Sequence, residues 1–322
     1  MWWRLASALG CLVLAASGWG CSRSAAGTEA NDAGGDGIPG VGVGVEGAFV
    51  VDLIAADPAT GTPAYSTVLG SVRDALQPAA LGWTVLGSMN GCTLRKPKVP
   101  FCDPACGGDV CAVGDVCKPH PKAVDVGPVR ARGLGTGEIV MPPINGSYQL
   151  PADVELPNPP CAEGAEVSLE VVDPAHMFKV KGKGIAPLVL SGGDPLALDP
   201  KQPLALAWAA PGDATIACVR ARLDISHHGG FRGEIVCDVP DTGALEIPAT
   251  FIEQLIGLGV SGFPTIVVTR SSQGIATGAG GRMTLTFSSS VERNLAIPGL
   301  VSCDDSHPCP VGQTSQTDRR CQ

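Results

Sequence analysis

Residues 216–225 read IACVRARLDI, and their alternation decides the fold class. Val219, Ala221, Leu223 and Ile225 alternate with Cys218, Arg220, Arg222 and Asp224. A period of two belongs to an extended chain whose successive side chains point to opposite faces, so this stretch reads as a strand with one buried and one wet face. Residues 282–289, RMTLTFSS, repeat the pattern, with Met283, Leu285 and Phe287 set against Thr284, Thr286 and Ser288. Short runs of the same kind, bounded by Gly, Pro and Asp, recur on both sides. Toward the C-terminus they are Glu166–Val172, Met177–Lys181, Ile185–Leu190, Pro203–Trp208, Gly233–Val239, Ala244–Ile247 and Thr265–Arg270. Toward the N-terminus they are Ala48–Ala55, Tyr65–Val72, Trp83–Gly87, Val124–Arg132 and Glu138–Met141. With 43 Gly and 28 Pro and no long helical period, the chain is expected to be mainly β: an immunoglobulin-like or related β-sandwich. One short helix is expected where Thr250-Phe-Ile-Glu253 forms a capping box ahead of the apolar stripe Phe251, Ile252, Leu255 and Ile256.

The opening 21 residues, MWWRLASALGCLVLAASGWGC, combine one positive charge, an apolar stretch and small residues. That is the form of an export signal, and it is too short for a bilayer span of about 20 apolar residues. Cys21 stands where a bacterial lipobox places the cysteine that is diacylated, although Gly18 and Trp19 occupy positions where that motif has an aliphatic and a small residue. Ordinary cleavage near Ala16 or Ala25 is the alternative. The expected organisation is a signal peptide at 1–20, a Gly/Ala-rich flexible stalk at 21–47 and a β region at 48–141 with a Cys-rich insert at 92–117. A Pro-rich connector at 142–160, a β-sandwich domain at 161–297 and a Cys-rich tail at 298–322 follow. The expected location is the bacterial cell envelope, lipid-anchored to a membrane or secreted. A net charge of −9 and scattered Lys/Arg argue against a nucleic-acid partner, because phosphate binding needs a basic surface.

Thirteen cysteines are the chief chemical feature. Cys102, Cys106, Cys111 and Cys117 crowd a segment with little apolar content, which cross-links rather than burial must hold. Cys303, Cys309, Ser315 and Cys321 follow one another at a constant step, with serine where a fourth cysteine would stand. The two clusters read as diverged copies of one disulfide knuckle. If such a module pairs first with third and second with fourth, Cys303 is left as a free thiol. Cys92 and Cys161 flank the first cluster and would bring it to six, with connectivity open. Cys218 and Cys237 flank a hairpin tipped by His227-His228. One pairing sets these two cysteines opposite each other, whereas matching the apolar faces puts Cys218 on the other side. With Cys11 and Cys21 set aside in the export signal, the expectation for the other eleven is five bridges and one unpaired thiol, with no metal: Cys-x2-Cys pairs are missing, and export favours oxidation.

No catalytic set can be nominated. His227-His228 have no partners at ligand spacing, Ser261 lacks the Gly-x-Ser-x-Gly frame, and the glycine-rich turns at 133–137 and 182–184 do not have phosphate-loop spacing. Trp208 closes an apolar strand and reads as core. No cofactor is expected.

The runs GIAPLVLSGGDPLAL, LDISHHGGFRGEIVCDVPDTGALEIPATFIEQLIGLGVSGFPTIVVTRS, SSSVERNLAIPGLVSCDDSHPCPVGQT and VPFCDPACGGDVCAVGDVCKPHPKAV resemble a family of uncharacterised exported lipoproteins from myxobacterium-like soil bacteria. The resemblance covers most of the chain after the signal. It implies a four-cysteine tail, from which Ser315 departs, and it brings no activity or site residues. The expected function is that of a non-enzymatic cell-surface lipoprotein, an envelope interaction or binding module with an unknown envelope or extracellular partner. The alternatives are a carbohydrate-binding module and a secreted hydrolase with a dispersed site.

Overall fold

The structure is a computed structural model that describes residues 44–58, 60–135, 137–171, 176–226, 230–278, 280–303, 308–317 and 319–321. The segments expected to be a signal peptide with Cys21 and a stalk, as far as residue 43, lie outside the described residues, as do His227, His228 and His307. The chain is mainly β with a sandwich body. In order it forms β1 (Val45–Ile54), β2 (Tyr65–Arg73), β3 (Gly82–Met89), β4 (Cys92–Lys98), β5 (Val110–Ala112), β6 (Val116–Lys118), β7 (Val129–Leu134), β8 (Gly137–Met141) and β9 (Ser147–Gln149). Then come β10 (Glu166–Val171), β11 (Phe178–Lys183), β12 (Leu196–Ala197), β13 (Leu204–Ala207), β14 (Cys218–Asp224), β15 (Glu234–Pro240), β16 (Ala244–Ile247), α1 (Ala249–Gly257), β17 (Thr265–Gly278) and β18 (Gly281–Ala296).

One large sheet runs β3-β4-β15-β14-β17-β18-β1-β2-β9, with β12 added beside β18. Its backbone is the long hairpin of β17 and β18, paired antiparallel from Thr265↔Asn294 to Gly278↔Gly281. β1 lies parallel to β18 on the far side. The period-two alternation now has a structural meaning. Ala221 pairs with Val268, and Ser272 pairs with Phe287, which pairs in turn with Val51. Directly paired residues share a face, so the apolar positions of all these strands point the same way.

That inner face carries two cores side by side. Over one half lies the four-stranded sheet β11-β10-β7-β8, enclosing Phe49, Val51, Leu169, Val180, Leu285 and Phe287. Over the other half lie the β13-β16 ribbon and α1, enclosing Leu94, Val219, Leu223, Ile235, Trp208, Ile252 and Leu255. β11 comes very close to β17 at Gly274, where an added Cβ would fall on the Lys181 carbonyl; only glycine leaves room for that approach.

Several local expectations are corrected. Segment 142–160 does not separate two bodies, because β9 and the Leu156↔Ser66 bridge tie it to β2. Strands from both sides of it share the large sheet. Residues 185–190 are not a strand. Leu188 donates its N–H to Ser289 Oγ instead of a ladder, while Ile185, Leu188 and Leu190 cover the cores from a connecting segment. The Thr250–Glu253 capping box does not form. α1 already begins at Ala249, with Pro248 as N-cap and no side-chain cap. Pro248 O accepts from the N–H groups of Phe251 and Ile252, so Thr250 falls inside the first turn, where its hydroxyl cannot act as the cap.

Candidate functional site in the disulfide framework and the outward sheet face

The first knuckle is built on the β5–β6 ribbon, whose turn uses positive φ at Gly114 and Asp115. Asp115 Oδ1 accepts from the Phe101 N–H and so draws the preceding segment onto the ribbon. Cys102 bonds to Cys111 and Cys106 to Cys117, first to third and second to fourth. The tail repeats the arrangement with one bond fewer. Cys309 bonds to Cys321, and at the remaining position the Cys303 thiol donates to Ser315 Oγ at 3.1 Å. Short bridges hold the tail together. Cys303 N–H donates to Arg319 O and Cys321 N–H to Val301 O, both at 2.9 Å, while Ser302 Oγ donates to Gly262 O and ties the tail to the body.

Replacing Ser315 with cysteine is therefore expected to complete the module. Alkylation of the denatured, unreduced variant should find no free thiol in the tail, and its intact mass should lie two hydrogens below that of the form with this bridge open. The new loop of 12 residues is expected to resist tail opening by about 3 kcal/mol, read by hydrogen exchange at 300–321.

Four cysteines, Cys92, Cys161, Cys218 and Cys237, depart from their expected partners. Cys237 bonds to Cys92 across the β15–β4 ladder, where the two are paired residues. Cys218 is disulfide-bonded as well, though not to Cys237. The β14–β15 hairpin pairs Ala221 with Cys237 and Leu223 with Ile235, so matching of the apolar faces sets the register and leaves Cys218 opposite Pro240 on the outward face. Cys161 does not join the first knuckle. It is a free, half-buried thiol against the apolar core, and burial pushes its pKa up. The described residues thus hold two unpaired thiols, Cys161 and Cys303, rather than one.

Among the described residues, two sulfur groups are tight enough to hold a metal, Cys102/Cys106/Cys117 and Cys303/Cys309/Cys321, each with its sulfurs within 4.8 Å of one another. In the first group every sulfur is in a disulfide, and in the second only Cys303 is not. A disulfide sulfur is not a thiolate ligand, so the bonded sulfurs of these groups act as cross-links.

Two buried ion clusters escaped sequence reading. Arg270, 1% exposed, lies where the two cores meet. Its Nε and Nη2 donate to Asp241, Nη1 to Ala186 O and Pro187 O, and Nη2 also to Ala209 O. Trp208, core as expected, donates Nε1 to the same Asp241 at 2.7 Å. At the far end of the sheet the buried Glu234 accepts from Arg95 and Arg222. Arg95 also lies 3.9 Å over the Trp83 ring, and Phe231 meets Trp83 edge-on at 83°. Trp83 and Phe231 thus do not form a coplanar aromatic strip. His120 lies exposed between β6 and β7, and His176 is half-buried just before β11.

No family model matches the chain, and no curated protein matches it in sequence.

The outward face of the large sheet has a different chemistry. Between β14 and β2 it presents Thr269, Ser271 and Gln273 on β17, Thr284, Thr286 and Ser288 on β18, and Thr67 and Ser71 on β2. Thr269 and Ser290 share a hydroxyl hydrogen bond of 2.8 Å, and Gln273 Nε2 donates to Thr286 Oγ1. Gln273 Oε1 is buried with no hydrogen-bond partner. Asp52 on β1 belongs to this face; burial raises its carboxyl pKa, with the Ser288 hydroxyl pulling it back.

A raised folded-state pKa means that the folded chain holds this proton more tightly than the unfolded chain. The associated stability is complete below the unfolded value of about 4 and is lost as pH rises through the folded value. Asp52→Asn is therefore expected to melt higher than the parent at pH ~7 and to match it near pH ~3. Thermal melts at the two pH values check the sign.

Proposed function

We propose that the protein is a non-enzymatic cell-surface lipoprotein that uses the outward face of its large sheet to bind an envelope or extracellular partner. The observation that carries this reading is that face: rich in hydroxyls on β17 and β18, flanked by opposite charges such as Arg220 with Asp238 and Glu46 with Arg282, and set on a body stiffened by disulfides. Disulfides persist in oxidising compartments, in keeping with the export signal and with Cys21 as the lipidation site. The buried carboxylates Asp241 and Glu234 are each held by arginine, which suits a structural role better than acid–base work. A neutral polysaccharide is the second reading, favoured by the unpartnered Gln273 Oε1 among hydroxyls.

Binding is tested by co-sedimentation with insoluble envelope material and with purified cell-wall polysaccharide. The parent should sediment with one of them, and Thr286→Lys/Ser288→Lys should not. Equal behaviour of parent and variant would remove the face from the account. Anchoring is tested separately by Cys21→Ser, which should move the protein from the membrane fraction to the soluble one.

A further inference from the structure

We infer that the tail is a thiol–disulfide exchange centre, in which the buried Cys303 displaces Cys309 from Cys321 and so moves the free thiol to a half-buried, reagent-accessible position. Three observations meet here. Cys303 is a free thiol, 2% exposed, and so shielded from reagents in solution. Its sulfur, with those of Cys309 and Cys321, forms a group within 4.8 Å, so nucleophile and disulfide are already together. Its S–H donates to Ser315 Oγ, which fixes the position of the attacking sulfur. Exchange proceeds by attack of a thiolate on a disulfide sulfur, and its rate depends on that encounter.

The direction follows from the backbone. Cys303 and Cys321 belong to segments already bridged by Cys303 N–H to Arg319 O and Cys321 N–H to Val301 O. A Cys303–Cys321 bond joins backbone that is held together, whereas Cys309 reaches in from the exposed segment between Pro308 and Pro310. In the step, hydroxide of the alkaline medium takes the Cys303 S–H proton, the thiolate attacks the Cys321 sulfur, and the Cys303–Cys321 bond forms. The Cys309–Cys321 bond breaks, and its electron pair leaves on Cys309, which takes up a proton. One disulfide and one thiol are present before and after, so no oxidant or reductant enters. The thiol moves from a buried position to a half-buried one. The first knuckle, with both of its bridges closed, has no free sulfur to start such a step.

The test is native alkylation of the full chain with iodoacetamide in mildly alkaline buffer, followed by acid quenching, digestion without reduction and mass mapping. The expected product carries the label on Cys309 with a Cys303–Cys321 bridge. Cys303→Ser and Ser315→Cys should each bring tail labelling down to background, the first by removing the nucleophile and the second by bonding it. Label on Cys303 with Cys309–Cys321 intact, label on Cys321, or no label in the tail would overturn the inference, as would continued Cys309 labelling in Cys303→Ser.

Discussion

Arg270→Met is expected to cost about 3–5 kcal/mol, the loss typical of a buried ion pair stripped of one partner. The side chain is 1% exposed, its donors reach Asp241 and three backbone carbonyls, and Asp241 is 0% exposed. Without the guanidinium, a carboxylate is left buried between two apolar cores, and the carbonyls of Ala186, Pro187 and Ala209 lose their donor. The midpoint of urea unfolding reads the loss. The double variant Arg270→Met/Asp241→Leu removes both charges and should recover much of it, because an apolar pair of similar volume has no desolvated charge to hold. Recovery should stay incomplete, since Trp208 Nε1 would lose its acceptor. A cost below about 1 kcal/mol for Arg270→Met would mean that this junction does not join the cores.

Removing Cys92–Cys237 is expected to have an effect of similar size. The bond closes a loop of 145 residues, the longest among the four disulfides with both partners described. Loop-closure entropy assigns it about 4–5 kcal/mol, against about 2–3 kcal/mol for a short loop such as that of Cys102–Cys111. The two losses should also differ in kind. Cys92→Ala/Cys237→Ala acts on paired residues of adjacent strands within a core, so it should lower the global unfolding midpoint. Cys102→Ala/Cys111→Ala should raise exchange and proteolysis within 100–118 while moving the global midpoint little.

Where the sheet is wet on one side, the sequence displays it. Residues 216–225 and 282–289 alternate cleanly because one face meets solvent and the other a core, and Ala244–Ile247 is bounded by turn residues at both ends. Elsewhere the packing hides the period. The second half of β17 places Ser272 and Gly274 inward, where a hydroxyl bonds Lys183 O and a bare backbone meets β11, so no apolar alternation marks it. β4 carries Arg95, Lys96, Pro97 and Lys98, and nothing local announces that it will pair with β15. Residues 185–190 show the opposite error: an apolar run buried as a cover rather than as a strand.

The same division holds for the sulfurs. Spacing within a short module constrains its pairing, so the contact of Cys303 with Ser315 could be anticipated from the chain. Cys92–Cys237 could not, because it depends on the order of strands far apart in sequence. The buried arginines were equally hidden: Arg270 and Asp241 meet only once β17 and the turn after β15 are brought to the junction of the cores.

The claim that both halves of the chain build one stapled sheet is tested most directly by non-reducing peptide mapping of acid-quenched protein. The structure predicts a peptide pair linked through Cys92 and Cys237, together with Cys102–Cys111 and Cys106–Cys117 inside the knuckle. A Cys218–Cys237 pair, or Cys92 bonded within the knuckle, would contradict it.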